Sequence, residues 1–76
     1  MTEATKTGIE RAVSAAGTQV KLAADLGVKQ QAVSLWLKQG FVPAGRATEI
    51  EMQFGIPRIE LLSPKLRAMV AQGEEL

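Results

Sequence analysis

Hydrophobic residues recur every three or four positions along most of the chain, which is the spacing of amphipathic helices. Glycine and proline interrupt this repeat, and both residues are common at helix ends. The first half of the sequence predicts three helices: from about Thr5 to Ala16, about eight residues between Thr18 and Gly27, and from about Lys29 to Lys38. Thr18 is expected to cap the second helix through its hydroxyl.

The second half of the sequence predicts shorter elements. The segment FVPAGRATEIEMQFG indicates a fourth helix, with Pro43 near its first turn and Gly55 at its end. A short helical turn is expected between Pro57 and Pro64, then a last short helix capped by Ser63, and QGEEL is predicted to be a frayed acidic tail. No strand-like alternation occurs, so the expected fold is an all-α compact bundle of about five short helices, one domain over residues 1–76.

The composition argues against an enzyme. The 76 residues contain no Cys and no His, so a thiolate zinc site and an imidazole base are both excluded. Glu49, Glu51 and Glu60 resemble a catalytic cluster in number only, because no nucleophile or metal-ligand set accompanies them. We therefore expect no catalytic residue, no metal, no cofactor and no small-molecule substrate.

The apolar runs are short and the N-terminus is polar, so neither a transmembrane helix nor a secretory signal is predicted and a cytoplasmic protein is expected. The formal net charge is only +1, but the charges are unevenly distributed. Residues 1–46 carry six basic and three acidic groups, whereas residues 47–76 carry three basic and five acidic groups. This distribution suits a molecule with one face toward phosphate, although scattered solvated lysines would produce it too.

The stretch LAADLGVKQQAVSLW fits two short helices that cross steeply over a tight turn. Such helices nearly touch, so a small residue is needed at the contact, and Ala23 supplies it. Gly27, four positions later, can adopt the positive φ that the turn requires. The inner side of this unit is expected to be apolar and to consist of Leu22, Leu26, Val28, Val33 and Trp36.

Residues 19–38 resemble the helix-turn-helix of phage Cro and repressor proteins, which have the lambda-repressor-like fold. Within that group, the chain is similar to Cro and YdaS-like bacterial regulators over about residues 5–62. The similarity includes the proline after the third helix, the RA..IE pattern of the fourth helix and the GIPR.EL segment. The resemblance implies a transcriptional repressor of Cro type that binds double-stranded DNA, with the third helix as a recognition helix in the major groove.

One position departs from the family pattern. Many relatives begin the recognition helix with Ser or Thr, whereas Lys29 follows Val28 here. The missing hydroxyl cap is expected to weaken the helix by about 1 kcal/mol. Contact between Lys29 and a phosphate would offset this loss only when DNA is bound.

The resemblance also implies which residues would touch DNA. Gln30, Gln31 and Ser34 would share one polar face of the third helix, where a glutamine amide can pair with adenine. Leu35 lies beside them and is expected to be exposed and to meet a thymine methyl group, whereas Trp36 is expected in the core. Phosphate contacts are expected from residues around the motif: Gln19, Lys21, Lys29, Lys38 and Arg46.

A single recognition helix reads few base pairs, so a homodimer is expected at least when DNA is bound, on a pseudo-palindromic operator with half-sites about 34 Å apart. Two surfaces are candidates for the dimer interface. One consists of Phe41, Met52 and Leu37, and the other is an arm formed by residues 63–76, which carries Leu66, Met69 and Val70. In the bacterial host the protein would associate with the nucleoid when bound.

Two other functions are compatible with the same residues. A YdaS-like antitoxin or transcriptional activator would share the same DNA-binding unit. A helical protein-interaction module would instead dock Leu35, Leu37 and Phe41 onto a partner helix. Salt dependence separates the last alternative, because binding to several phosphates weakens steeply as salt rises.

Overall fold

The computed structural model of the protein describes residues 6–71, and every regular element in that range is helical. Five α-helices and one 3₁₀ turn follow in the order α1 (Gly8–Ala16), α2 (Gln19–Leu26), α3 (Gln30–Gln39), α4 (Ala44–Phe54), the 3₁₀ turn (Arg58–Glu60) and α5 (Pro64–Ala71). The predicted all-α bundle of short helices is confirmed. The predicted frayed tail QGEEL, like Thr5, lies outside the described residues.

The helix boundaries follow from capping chemistry. The second helix has the predicted eight residues, and the Thr18 hydroxyl accepts from Lys21 N at 3.0 Å. The prediction that α1 begins near Thr5 is wrong, because a capping box sets its start at Gly8. In this box Thr7 Oγ1 accepts from Glu10 N at 3.2 Å, and Thr7 N donates to the Glu10 carboxylate at 2.8 Å.

Two further boundaries differ slightly from the sequence prediction. Lys29 precedes α3 as its cap residue and makes no side-chain cap hydrogen bond, so the predicted absence of a hydroxyl cap is confirmed. Pro43 likewise precedes α4, where its missing N–H removes no helical hydrogen bond. Ser63 Oγ accepts from Leu66 N at 3.3 Å, which confirms the predicted start of α5.

The core is built from the inner faces of α1 to α4. The predicted inner residues Leu22, Leu26, Val33 and Trp36 are buried, and Val28 is half-buried against them. Four further core residues lie in connecting segments, where no helical repeat predicts their burial: Val42, Ile56, Leu61 and Leu62. A backbone hydrogen bond of 2.9 Å from Val42 N to Leu61 O joins two of these segments.

A second set of contacts, here named the Glu60 junction, ties α1 and α5 to the 3₁₀ turn through Gly8, Arg11, Glu60 and Arg67. A Cβ atom on Gly8 would lie 2.5 Å from Glu60 O, so the two backbones approach as closely as only glycine allows. Arg11 forms an ion pair with Glu60. Arg67 donates to the carbonyl oxygens of Ile59 at 3.1 Å and Glu60 at 3.2 Å.

Candidate nucleic-acid interface

The turn between α2 and α3 is set by one glycine. Gly27 has φ 71° and ψ 31°, a left-handed conformation that is unfavourable for residues with a side chain. Its N–H points back to the last turn of α2, and Val28 N donates to Ala23 O at 3.0 Å. Ala23 itself is 4% exposed, which agrees with the predicted need for a small residue on the inner side of α2.

The apolar side of helix α3 packs into the core and holds the helix in place. Val33 is fully buried and Trp36 is 5% exposed, so the predicted core role of Trp36 is confirmed. Leu37 is half-buried and packs at the edge of the core. Among the helices between residues 6 and 71, only α1 and α2 bring their backbones close to that of α3, and its side away from the core is exposed.

The open side of α3 presents the residues predicted to read bases. Gln30, Gln31 and Ser34 are exposed, and Leu35 is 54% exposed, as predicted. These four residues, here named the α3 face, occupy positions that follow one another by one, three or four along the helix. The arrangement places two amides, a short hydroxyl side chain and a branched apolar group on the open side of α3.

A hydrogen bond links this face to α2. The Ser34 hydroxyl donates to the side-chain oxygen of Gln19, with 3.0 Å between Ser34 Oγ and Gln19 Oε1. Gln19 is the first residue of α2 and is half-buried. No local pattern predicts this bond, because the two residues are fifteen positions apart and their approach depends on how α2 and α3 pack.

The basic residues predicted to bind phosphate differ in exposure and in whether they already form an ion pair within the protein. Lys29 and Lys38 are exposed. Lys21 pairs with Asp25 at 2.9 Å across one turn of α2, yet its side chain remains 60% exposed. A surface pair of this kind contributes little to stability, so a phosphate could replace Asp25 at small cost.

Arg46 is more firmly engaged. One of its guanidinium nitrogens lies 2.8 Å from Glu49 Oε1 and also donates to Leu26 O at 3.4 Å, at the C-terminal end of α2. Its side chain is 37% exposed. The spacing of Arg46 and Glu49 was visible in the sequence, whereas the contact with α2 was not. Arg46 therefore connects α4 to α2 as well as facing solvent.

Two of the three glutamates compared above to a catalytic cluster form separate ion pairs. Glu49 binds Arg46 and Glu60 binds Arg11, each in a separate ion pair. Between residues 6 and 71, no group of three or more His, Cys, Asp or Glu side chains is arranged to hold a metal ion. None of the helices in this range is long and apolar enough to cross a membrane.

Comparison with protein families identifies the chain. The family model described as bacterial toxin YdaS matches residues 9–63, well over half of the sequence. The chain belongs to this family. Within the YdaS family match lie nearly all of α1, the whole α2–α3 unit, α4 and the 3₁₀ turn, whereas α5 begins directly after it. The curated proteins and the solved structures gave no match.

Proposed function

We propose that this YdaS-family protein regulates transcription by binding DNA, with α2 and α3 as a helix-turn-helix and α3 as the recognition helix. The observation that carries the proposal is the α3 face, formed by Gln30, Gln31, Ser34 and Leu35. These side chains are exposed on a helix whose opposite side is fixed in the core by Val33 and Trp36. A rigid helix with a free polar face is suited to the major groove.

The chemistry of the α3 face fits base recognition. A glutamine amide presents a donor beside an acceptor and can pair with N6 and N7 of adenine. Leu35 is 54% exposed and would bury its methyl groups against the methyl group of thymine. Gln30 and Gln31 contribute nothing to the core, so the fold itself does not require amides at these positions.

The surrounding basic residues would hold the protein on the phosphate backbone. Lys29 and Lys38 are exposed on either end of α3, and Lys21 needs only to leave a surface ion pair with Asp25. Arg46 would have to exchange Glu49 for a phosphate. We therefore expect Arg46 to contribute less to binding than Lys38, since part of its interaction energy with phosphate would replace an existing contact.

We further propose that the protein acts as a Cro-type repressor that occupies a pseudo-palindromic operator as a homodimer in the bacterial cytoplasm. Two copies are needed because one recognition helix covers only a few base pairs. Met52, which is 81% exposed on α4, is the most exposed of the candidate dimer residues, whereas Phe41 and Leu37 are half-buried. We therefore choose Met52 as the interface residue to test first, since a dimer would bury a side chain that otherwise stays in water.

The family description favours a second candidate function. Because the family is described as a bacterial toxin, production of this protein would inhibit growth of the host. An antitoxin or a transcriptional activator remains an alternative that would use the same DNA-binding unit. A toxin of this fold would act through the α3 face by occupying chromosomal sites, so substitution of Gln31 should relieve growth inhibition and DNA binding together. Relief of one without the other would separate the two functions.

Selection of bound sequences from a random DNA pool, at a stated salt concentration, tests the main proposal. The expected result is an enriched approximate palindrome occupied by two chains. Gln31→Ala should then cost about 1–3 kcal/mol at one operator position in each half-site and leave binding to random DNA nearly unchanged. The control is Gln53→Ala on α4, which removes an exposed amide and its 3.4 Å hydrogen bond to Asp25 O and should not alter selectivity. A pool without enrichment would contradict sequence-specific binding.

Salt dependence tests the phosphate contacts and the protein-interaction alternative. Lys38→Ala should weaken binding to operator and random DNA by the same factor and lower the salt slope by about one unit. Arg46→Ala should have the same pattern with a smaller effect. Binding that does not respond to salt would instead support apolar docking of Leu35 onto a protein partner.

A further inference from the structure

We propose that Ser34 positions Gln19 against a DNA phosphate and does not read a base itself. The proposal rests on the proposed function and deepens it, because it divides the predicted DNA-contacting residues into two roles. Gln30, Gln31 and Leu35 would read bases, whereas Ser34 would act through a residue of the preceding helix.

The cross-helix hydrogen bond is the observation behind this assignment. Ser34 Oγ donates to Gln19 Oε1 at 3.0 Å, which commits the only proton donor of the serine side chain. Serine is also the shortest polar side chain on the α3 face, so it reaches less far from the helix than Gln30 or Gln31. The hydroxyl therefore lies where it meets α2, while the longer amides extend beyond it.

The same bond fixes the orientation of the Gln19 amide. Its oxygen faces Ser34, so its NH₂ group faces away from the serine, and within residues 6–71 this group has no acceptor. The reverse orientation would turn the amide oxygen outward, where the negative charge of a phosphate would repel it. A serine hydroxyl that donates to Gln19 thus prepares the orientation that an anion needs before DNA arrives.

Gln19 occupies a suitable place for such a contact. It is the first residue of α2, where backbone N–H groups lack helical partners and the helix dipole favours an anion. Thr18 already satisfies Lys21 N through its hydroxyl and Leu22 N through its carbonyl. The N–H groups of Gln19 and Val20 are left, beside the side-chain amide, to face a phosphate oxygen.

A double-mutant cycle with Ser34→Ala and Gln19→Ala, measured by binding to operator and to random DNA, tests the proposal. Ser34→Ala should weaken binding to both DNAs by the same factor, about three- to tenfold, which corresponds to loss of one hydrogen bond. The ratio between the two affinities should stay unchanged. Ser34→Ala should have no further effect in a protein that already carries Gln19→Ala.

Conservative and control variants separate positioning from a structural role. Ser34→Thr keeps the hydroxyl and should restore binding. Gln19→Glu can still accept from Ser34 but would repel phosphate, so it should weaken both DNAs more than Gln19→Ala does. Ser14→Ala, on α1 and away from the α3 face, is the matched control for removal of an exposed serine. The unfolding temperature of Ser34→Ala should match that of this control.

Three results would overturn the assignment. If Ser34→Ala weakens operator binding alone, Ser34 reads a base. If the effects of the two alanine substitutions multiply, the residues act independently. If Gln19→Ala leaves both affinities unchanged, Gln19 does not contact DNA. Failure of the wild-type protein to bind any DNA would overturn the proposed function as well, so the two failures are distinguishable.

Discussion

The α2–α3 unit and the Glu60 junction hold the same small molecule together in different ways. In the α2–α3 unit, a hydroxyl cap at Thr18, a left-handed glycine at Gly27 and an apolar repeat act within a short stretch of chain. In the Glu60 junction, Arg11 meets Glu60 across 49 positions. The unit depends on local conformation and burial, whereas the junction depends on close backbone approach and exposed polar contacts.

The two regions should therefore respond to different substitutions. Local conformation and burial in the α2–α3 unit should make it sensitive to side-chain charge and backbone geometry. The junction should be sensitive to added volume at Gly8 and almost insensitive to removal of its ion pair, because exposed pairs contribute little.

The largest effect is expected from Ala23→Glu. Ala23 is 4% exposed, so the substitution would bury an unpaired carboxylate on the inner side of α2. We expect a loss of roughly 3–5 kcal/mol in the free energy of unfolding, which is a large part of the stability of a small domain. Urea denaturation followed by circular dichroism measures this loss. Ala24→Glu, on the exposed side of the same helix, is the control and should be nearly neutral.

Next in size is Gly8→Ala, which attacks the junction. The added Cβ would lie 2.5 Å from Glu60 O and 2.8 Å from Glu60 C, so α1 or the 3₁₀ turn must shift. The expected loss is about 3 kcal/mol in the free energy of unfolding. Gly45→Ala provides the control, because the space around its Cβ is open and alanine favours helix, so it should stabilise by up to about 1 kcal/mol. Equal stability of the two variants would show that the close approach of Gly8 to the Glu60 backbone does not limit stability.

Gly27→Val should have a somewhat smaller effect, of about 2 kcal/mol, since its Cβ meets no neighbour and only the positive φ is strained. Gly27→Asn should lose less, because asparagine tolerates the left-handed conformation better. Thermal unfolding of both variants checks this order. A valine variant as stable as the asparagine variant would show that φ at this turn does not limit stability.

The smallest effect is expected from Glu60→Gln. The side chains of Arg11 and Glu60 are 45% and 41% exposed, so loss of their ion pair should cost less than about 1 kcal/mol and even less at high salt. Denaturation at low and high salt measures the difference. Glu51→Gln, which removes a carboxylate without an ion pair in residues 6–71, corrects for the change in net charge. A large loss that salt does not reduce would contradict this account of the junction.

The sequence predicted the features that local spacing encodes. The five helices, the core position of Trp36, the exposure of Leu35 and the left-handed Gly27 are all confirmed. Each depends on residues within one or two helical turns, where a repeat or a cap is visible directly. The family match supports the YdaS resemblance, whereas the roles of individual residues on DNA stay predictions.

Features that depend on tertiary packing could not be predicted in this way. Val42 and Leu61 belong to the core, but their connecting segments have no periodicity that would reveal a buried side. The Gln19–Ser34 hydrogen bond and the contact of Arg46 with the end of α2 require knowledge of how helices pack. Gly8 has a negative φ and would pass as an ordinary helix start, since only the nearby Glu60 backbone makes glycine necessary there.

The attachment of α5 has a consequence for hydrogen exchange. Helix α5 contributes no fully buried residue: its half-buried Leu66 packs at the edge of the core, and among the elements of residues 6–71 its backbone lies close only to the 3₁₀ turn. Its amides can therefore exchange with solvent by local opening that leaves the apolar interior intact. Amides of α2 and the inner side of α3 would exchange only when the whole domain opens. The chain would thus show two protection levels, with α5 as a separate, less cooperative unit.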